Sequence, residues 1–346
     1  MRKRKNKLRA FCGVNSTLEQ YSFNFSQVTE RYYIDKKFKL SYCKVPKAGS
    51  SLWTQIFMIL RTGPRQNSKK INEIVKESRN NLHGIKPFFS SIPTEGNSTT
   101  SIIMSRNPYS RLFSAFIDKI YLMDKFEITK KISLHYGKSK SLCGYKVTFQ
   151  EFLDFVVSQA SKGCKINRHW APIYLLCRPC DVRYDIITKI ETLTEDLNFI
   201  FNHSKVSRSK KDIILNVTKY KSDLFGVLNT YLSHWKRNRL ECPNLKEYLF
   251  RIWRALQHQG ELKYELPFPS NAFSSVLTKN PDVNIIINVF VKYVEKHRPK
   301  AEERRVQRRR TLTEAYRGIK KSTIRKMQEL YKLDFLLFQY EMTPPD

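Results

Sequence analysis

The stretch Phe38-Lys-Leu-Ser-Tyr-Cys-Lys-Val-Pro46-Lys47-Ala48-Gly49-Ser50-Ser51-Leu52-Trp53-Thr-Gln-Ile-Phe-Met-Ile-Leu60 decides the fold class. Its first eight residues alternate in the manner of a strand, Pro46 and Gly49 interrupt the pattern, and the apolar run from Leu52 suits a buried helix. A second unit of the same kind follows. Ser101-Ile-Ile-Met-Ser105 reads as a strand, Arg106-Asn107-Pro108-Tyr109-Ser110-Arg111 as the turn, and Leu112, Phe113, Phe116, Ile117 and Ile120 recur at helical spacing. Two consecutive strand–loop–helix units predict an α/β fold with a central parallel sheet flanked by helices, its ligands gathered where the strands end. Thr148 to Ala160 predicts another amphipathic helix, and Asp185 to Ile190 a strand leading into a helix start rich in Thr and acid. Residues 205–310 show helical patches without clear punctuation, and no internal repeat is present.

Working outward, the 41% hydrophobic and 13% aromatic content of the 346 residues can fill a sizeable core, which excludes global disorder. The 63 Lys and Arg against 31 Asp and Glu give a formal net charge of +32, a field that favours polyanions: nucleic acid, anionic membrane, or sulfated or uronate-bearing polysaccharide. Lys296 to Arg310 alone holds eight Lys and Arg, and reads either as a solvated face or as a polyanion contact. The seven cysteines form neither a dense disulfide framework nor a paired zinc signature, and their odd number leaves at least one thiol unpaired within the chain. Cys177-Arg-Pro-Cys180 has no second pair at finger spacing, so no metal is expected. Sequons begin at Asn15, Asn24, Asn97, Asn202 and Asn216, which matter in a secretory-pathway protein. No apolar run reaches the roughly 18 residues of a membrane span.

The two strand-to-helix loops carry the chemistry. Pro46, Lys47, Ala48, Gly49, Ser50, Ser51 and Leu52 place small residues, hydroxyls and one ammonium at a helix start, where N–H groups and the helix dipole favour a phosphate. Lys47 precedes Gly49, the reverse of the Walker A order, which disfavours an ordinary nucleotide kinase or ATPase. In Arg106, Asn107, Pro108, Tyr109, Ser110, Arg111, Leu112, Phe113 and Ser114, the two arginines and Ser114 can converge on a second phosphate. Taken singly, each loop is also consistent with an ordinary capped turn bearing surface cations.

Together, P-K-x-G-[ST]-[ST]-x-W and R-x-P-x-x-R-L-x-S-A-[FY] resemble the donor-binding loops of the Golgi carbohydrate sulfotransferases. That family includes the chondroitin and dermatan 4-O-sulfotransferases, the N-acetylgalactosamine 4-sulfotransferases and the sulfoglucuronyl-epitope sulfotransferase. Three further stretches resemble it: Tyr42-Cys-Lys-Val, the segment from His169-Trp-Ala-Pro to Asp185 with Lys189-Ile-Glu-Thr-Leu, and Leu330-Tyr-Lys-Leu-Asp-Phe-Leu-Leu-Phe-Gln-Tyr. Leu52, Asn107 and Ser51 depart from the residues usual there, which are Asn, an acid and Thr.

The resemblance implies a P-loop-NTPase-like sulfotransferase fold and 3′-phosphoadenosine 5′-phosphosulfate as co-substrate. Lys47 to Leu52 would take the phosphosulfate end, and Arg106 with Ser114 the 3′-phosphate. Lys47 is then the expected leaving-group stabiliser, and His169 or His83 the general base. His169 can equally be a core histidine beside Trp170. Lys165, Arg168, Arg178 and Arg183 are candidate contacts to a polyanionic glycan acceptor, and Cys177 and Cys180 are expected in disulfides with Cys143 or Cys164. Residues 1–37 are read as an N-terminal stem and 38–346 as one catalytic domain, with 205–310 a basic helical insertion and 311–341 a family-like C-terminal segment. The family implies a type II Golgi protein with a lumenal catalytic domain, whose membrane anchor is expected to be absent from this chain. The competing class is a basic nucleic-acid-binding protein, for which no zinc-finger, RRM or KH signature is present.

Overall fold

A computed structural model describes residues 1–14, 32–62, 73–74, 99–137, 143–202, 204, 206–220, 224–277 and 281–346. They fall into two compact units. The first comprises Met1–Leu112, Val156–Ser222 and Ile324–Met342, and the second Phe113–Phe155, Asp223–Thr323 and Thr343–Asp346. The first unit therefore includes residues ahead of position 38, and the segment 205–310 is shared between the two.

The first unit is built on a four-stranded sheet in the order β1 (Tyr32–Asp35), β2 (Leu40–Cys43), β3 (Thr100–Ser105) and β4 (Ile186–Lys189). Strands β2, β3 and β4 run parallel, as their strand–loop–helix spacing predicts. Strand β1 was not foreseen, and it makes the sheet mixed. Only Lys36–Lys39 separates it from β2, a connection too short for a parallel crossover, so the pair is antiparallel. Asp35 accepts the Phe38 N–H at 3.0 Å and closes that turn.

The parallel strands are buried almost throughout, as strands covered on both faces must be. Against them packs the helix Ser50–Arg61, its Trp53 ring stacked on Tyr42 at 4.7 Å, with Ile56, Phe57, Ile102, Met104 and Ile186 completing the core. The N-terminal residues also belong to this unit. Arg2–Val14 is a helix, bound through Arg4 to Asp196 at 2.8 Å, through Lys5 to Asp185 at 3.0 Å and through the Cys12–Cys180 disulfide.

The second unit is helical among its described residues. Leu245–His258 and Val283–His297 enclose Trp253, Phe268, Phe273 and Phe290. The helical spacing expected through Ile120 becomes an α-helix, Pro108–Ala115, widened into a π-helical Phe116–Tyr121. Arg251 donates twice to the Tyr121 carbonyl at that widened end, at 3.0 and 2.8 Å.

The cysteine pairing corrects the expectation from sequence. Cys177 joins Cys43 and Cys180 joins Cys12, while Cys143 joins Cys242 and Cys164 is free and exposed. The fold brings the end of β2 and the N-terminal helix to the Cys177–Cys180 turn, a proximity that sequence spacing does not express. No helix among the described residues is long and apolar enough to cross a membrane.

Candidate active site

After β2 the chain turns at once. The Ala48 N–H closes on the Val45 carbonyl at 3.3 Å, and both Lys47 (φ 66°) and Gly49 (φ 80°) take the left-handed conformation. Glycine is favoured at 49 by its positive φ, and a Cβ there would lie 3.1 Å from Met104 Sδ and 3.3 Å from Ile190 Cδ1. The helix then opens at Ser50 behind the N-cap Gly49, which has no side chain to accept a first-turn N–H, so its positive end faces the loop. Thr54 secures this helix start, donating to the Ser50 carbonyl at 2.9 Å and lying 2.9 Å from the Tyr33 hydroxyl.

The second loop sits at the end of β3. Asn107 caps the next helix, its Oδ1 accepting the Tyr109 N–H at 2.9 Å, and Pro108 occupies the first helical position, where a missing N–H costs nothing. Arg106 reaches across to the first loop and donates Nη1 to the Lys47 carbonyl at 2.8 Å, with Nε on Ser110 Oγ at 3.2 Å.

The end of β4 joins the same cluster. Glu191 accepts the Asn107 N–H at 3.1 Å and the Tyr340 hydroxyl at 2.9 Å, and Tyr340 lies 3.1 Å from Ser105 Oγ. Lys189 donates to the Gln339 carbonyl at 3.1 Å, so residues 339–340 strap the loops that follow β3 and β4. Tyr109 donates to the Met342 carbonyl at 2.5 Å. Leu112 is buried in the first unit. Phe113 and the half-buried Ser114 begin the second, with the Phe113 ring 5.3 Å from Phe149.

Arg111, a candidate from sequence for a phosphate, is engaged by the backbone of the protein. Its guanidinium is 1% exposed and donates to three backbone carbonyls: Pro46 at 3.0 Å, Ala171 at 2.6 Å and Arg168 at 3.3 Å. A planar fork engaged on three carbonyls is a tie between backbones. It joins the residue before Lys47 to the residues on either side of His169-Trp170. Burial pulls this guanidinium below its usual value, while Asp334, Tyr331 and Tyr42 oppose that effect.

The buried Asp334 accepts the N–H groups of Ile173 and Tyr174 at 2.7 and 2.8 Å, capping the short helix Ile173–Cys177. Tyr331 donates to the Trp170 carbonyl. Residues 168–174 are thus held from three directions, with Cys177 bonded to Cys43 just beyond.

Just ahead of that segment, Asn167 Oδ1 accepts the His169 backbone N–H at 3.0 Å and faces His169 Nδ1 at 2.8 Å. A backbone N–H can only donate, so the atom it meets is the amide oxygen. That oxygen in turn requires a proton on Nδ1. In the neutral ring the lone pair therefore sits on Nε2.

Among the other candidates, Lys165 and Arg183 are exposed and Arg168 is half-buried. Arg178 is exposed and pairs with Asp181 at 2.6 Å. His83 lies outside the described residues. Arg111 as a tie, Asp334, Tyr331, Glu191 and Tyr340 were not singled out from sequence. The signal for Asp334 is a lone acid inside the apolar run Leu333–Phe338, which demands a buried partner.

A mainly parallel sheet with functional loops gathered at its strand ends defines the α/β class in which ligands meet strand-to-helix turns. The chain belongs to the sulfotransferase family, whose model matches residues 30–255. It is 30% identical over 205 residues to Homo sapiens carbohydrate sulfotransferase 9, covering 57% of this chain and 46% of that protein. Danio rerio carbohydrate sulfotransferase 11 is 30% identical over 180 residues, covering 48% and 51%, and Xenopus laevis carbohydrate sulfotransferase 10 is 26% identical over 231, covering 62% and 64%. The chain spans about half the length of the first two of these relatives. No solved structure matches it.

Proposed function

We propose that the chain transfers a sulfuryl group from 3′-phosphoadenosine 5′-phosphosulfate to a glycan hydroxyl. The observation that carries this reading is the junction at Lys47. Arg106 holds the Lys47 carbonyl, and Arg111 ties the neighbouring Pro46 carbonyl to the backbone around His169. A cation, an uncapped helix start and a histidine with its lone pair on Nε2 thereby belong to one fixed backbone cluster.

These residues fit the donor. The left-handed Lys47 and Gly49 form a turn lined by small residues, and the positive helix end faces it. The donor, when bound, supplies an activated sulfuryl group on a phosphate leaving group. His169 Nε2 takes the proton of the acceptor hydroxyl as its oxygen bonds to sulfur, and the sulfur–oxygen bond to the 5′-phosphate breaks. Lys47 balances the charge gathering on that departing oxygen, while Arg106 and Ser114 hold the 3′-phosphate. Residues 38–346 act as one catalytic domain in this reading.

The resemblance of the loops supports the 4-O position of N-acetylgalactosamine in chondroitin or dermatan as acceptor, with glycoprotein glycans as the alternative. The disulfides support an oxidising compartment, in keeping with the Golgi lumen.

The test is transfer of labelled sulfate to desulfated chondroitin, dermatan, heparosan and N-acetylgalactosamine-terminated glycans. Lys47→Ala is expected to lower turnover at least about 100-fold while the product nucleotide binds within a few-fold of wild type. Equal loss of both would remove Lys47 from the leaving-group role. His169→Ala and His83→Ala, measured side by side, assign the base. If no glycan is labelled and salt-sensitive DNA binding survives Lys47→Ala and Arg106→Ala, the nucleic-acid reading replaces this one.

A further inference from the structure

The helix Arg2–Val14 carries Arg2, Lys3, Arg4, Lys5, Lys7 and Arg9 and no acidic residue. The fold uses one face of it. Arg4 binds Asp196 and the Ile187 carbonyl, Lys5 binds Asp185, Leu8 is buried, and Cys12 is bonded to Cys180. Positions 4, 5, 8 and 12 follow helical spacing, so this side is fully committed to the protein. Arg2, Lys3, Lys7 and Arg9 are exposed, and at helical spacing Arg2 and Arg9 share one flank of the exposed side while Lys3 and Lys7 share the other.

The contacts also fix the direction of the helix, which runs back along residues 180–196 with Cys12 at Cys180 and Arg4 at Ile187 and Asp196. The exposed Arg183 lies on the stretch of chain between these two anchors. That stretch follows the helix Ile173–Cys177, which itself follows His169 and Trp170.

We propose that the exposed face of this helix is a docking strip for a polyanionic polysaccharide, holding the acceptor polymer away from the point of transfer. This rests on the carbohydrate-transfer reading above. From Arg2 to Arg9 the strip is roughly 10 Å long at 1.5 Å per residue, room for more than one carboxylate or sulfate along a chain. An amphipathic membrane helix sets several large apolar side chains beside its cations, whereas here Leu8 is buried, Cys12 is in a disulfide and Phe11 is half-buried. Regularly spaced anions on a flexible polymer can bridge two pairs of cations with no acid among them.

The experiment uses the full chain and its variant carrying Arg2→Gln, Lys3→Gln, Lys7→Gln and Arg9→Gln. Both are assayed with polymeric chondroitin and with chondroitin tetrasaccharide. The expected result is a roughly tenfold higher KM for the polymer, weaker dependence of that KM on salt, and kcat and tetrasaccharide KM within about twofold of wild type. An unchanged polymer KM, or an equal rise for the tetrasaccharide, overturns the strip.

Equilibrium binding of fluorescent chondroitin polymer decides the matter even if neither acceptor is sulfated, which would count against the transfer reading alone. Binding about tenfold weaker in the variant supports the strip, and equal binding overturns it. Duplex DNA or phosphatidylserine vesicles bound more tightly than the polymer, through the same four residues, would make the strip a site for those partners and overturn the proposal. Lys7→Glu alone, a single exposed change, guards against misfolding and is expected to weaken polymer binding about threefold.

Discussion

Among the described residues, each unit of the molecule contains one buried arginine whose guanidinium is hydrogen-bonded to backbone carbonyls, and the two do different work. In the sheet-bearing unit, Arg111 joins Pro46, Arg168 and Ala171, three carbonyls from two segments far apart in sequence. In the helical unit, Arg251 holds the Tyr121 carbonyl twice and Tyr145 once, with its guanidinium 3.8 Å from the Tyr121 ring centroid. Burial lowers both guanidinium groups from their usual value. Arg251 mends the end of a π-helical turn, whereas Arg111 sets the spacing between two loops that carry candidate chemistry. The same side chain is structural in one place and positioning in the other, and burial alone does not distinguish the roles.

Replacing each arginine by lysine should break the comparison open. A lysine carries its three donors on one nitrogen and cannot reach carbonyls placed for the separate nitrogens of a guanidinium, so both variants are expected to lose about 3 kcal/mol of stability, the scale for leaving buried polar groups unpaired. Turnover per folded molecule should then fall at least tenfold in Arg111→Lys and stay within twofold in Arg251→Lys. Denaturant unfolding with activity normalised to the folded fraction reads both quantities. Equal turnover in the two would reduce Arg111 to a stabilising contact.

A sharper contrast comes from charge. Burial pushes the Asp334 carboxyl up to about 6 from an ordinary 3.8, although Arg111 and the N–H groups of Ile173 and Tyr174 pull the other way. Between these values the folded protein binds the proton and the unfolded chain has released it, so this group's contribution to stability falls as pH rises. The span corresponds to about 3 kcal/mol. Wild type should therefore lose stability relative to Asp334→Asn, by up to that amount, between pH 3.5 and 7 in parallel denaturation series. A flat difference would mean that Arg111 already holds the carboxylate ionised.

Much of this site was readable before the fold was known. Pro46, Gly49 and Pro108 interrupt apolar runs at the points where strands end, so β2, β3 and both loops followed from local pattern. Arg106 and Arg111 were read alike because they share one motif. What separates them is helical phase: Arg111 lies on the face of Leu112 and Ala115, which packs inward, while Arg106 precedes the helix. The N-terminal helix was illegible for a different reason. Its sequence has almost no apolar periodicity, and it is held by Asp185, Asp196 and Cys180, partners about 170 to 190 residues away. Strand β1 was hidden by the same polar N-terminal composition.

The smallest expected effect tests the turns themselves. Gly49 and Gly260 both take left-handed backbone, at φ 80° and φ 68°, and a Cβ at either would crowd its neighbours: Met104 and Ile190 in the first unit, Arg304 and Arg308 in the second. Alanine at each should cost about 1–2 kcal/mol for the conformation. The consequences should then diverge. Gly49→Ala presses on Met104, at the end of β3, and on Ile190, which follows β4, so the loop bearing Lys47 must shift. Binding of 3′-phosphoadenosine 5′-phosphate should weaken several-fold. Gly260→Ala meets the stems of two arginines and should leave that affinity unchanged. Calorimetric titration of both variants, beside their melting curves, measures the divergence. If nucleotide affinity is unchanged in Gly49→Ala despite the expected loss of stability, the turn from Pro46 to Gly49 does not hold the donor, and the phosphate must be sought beside Arg106 alone.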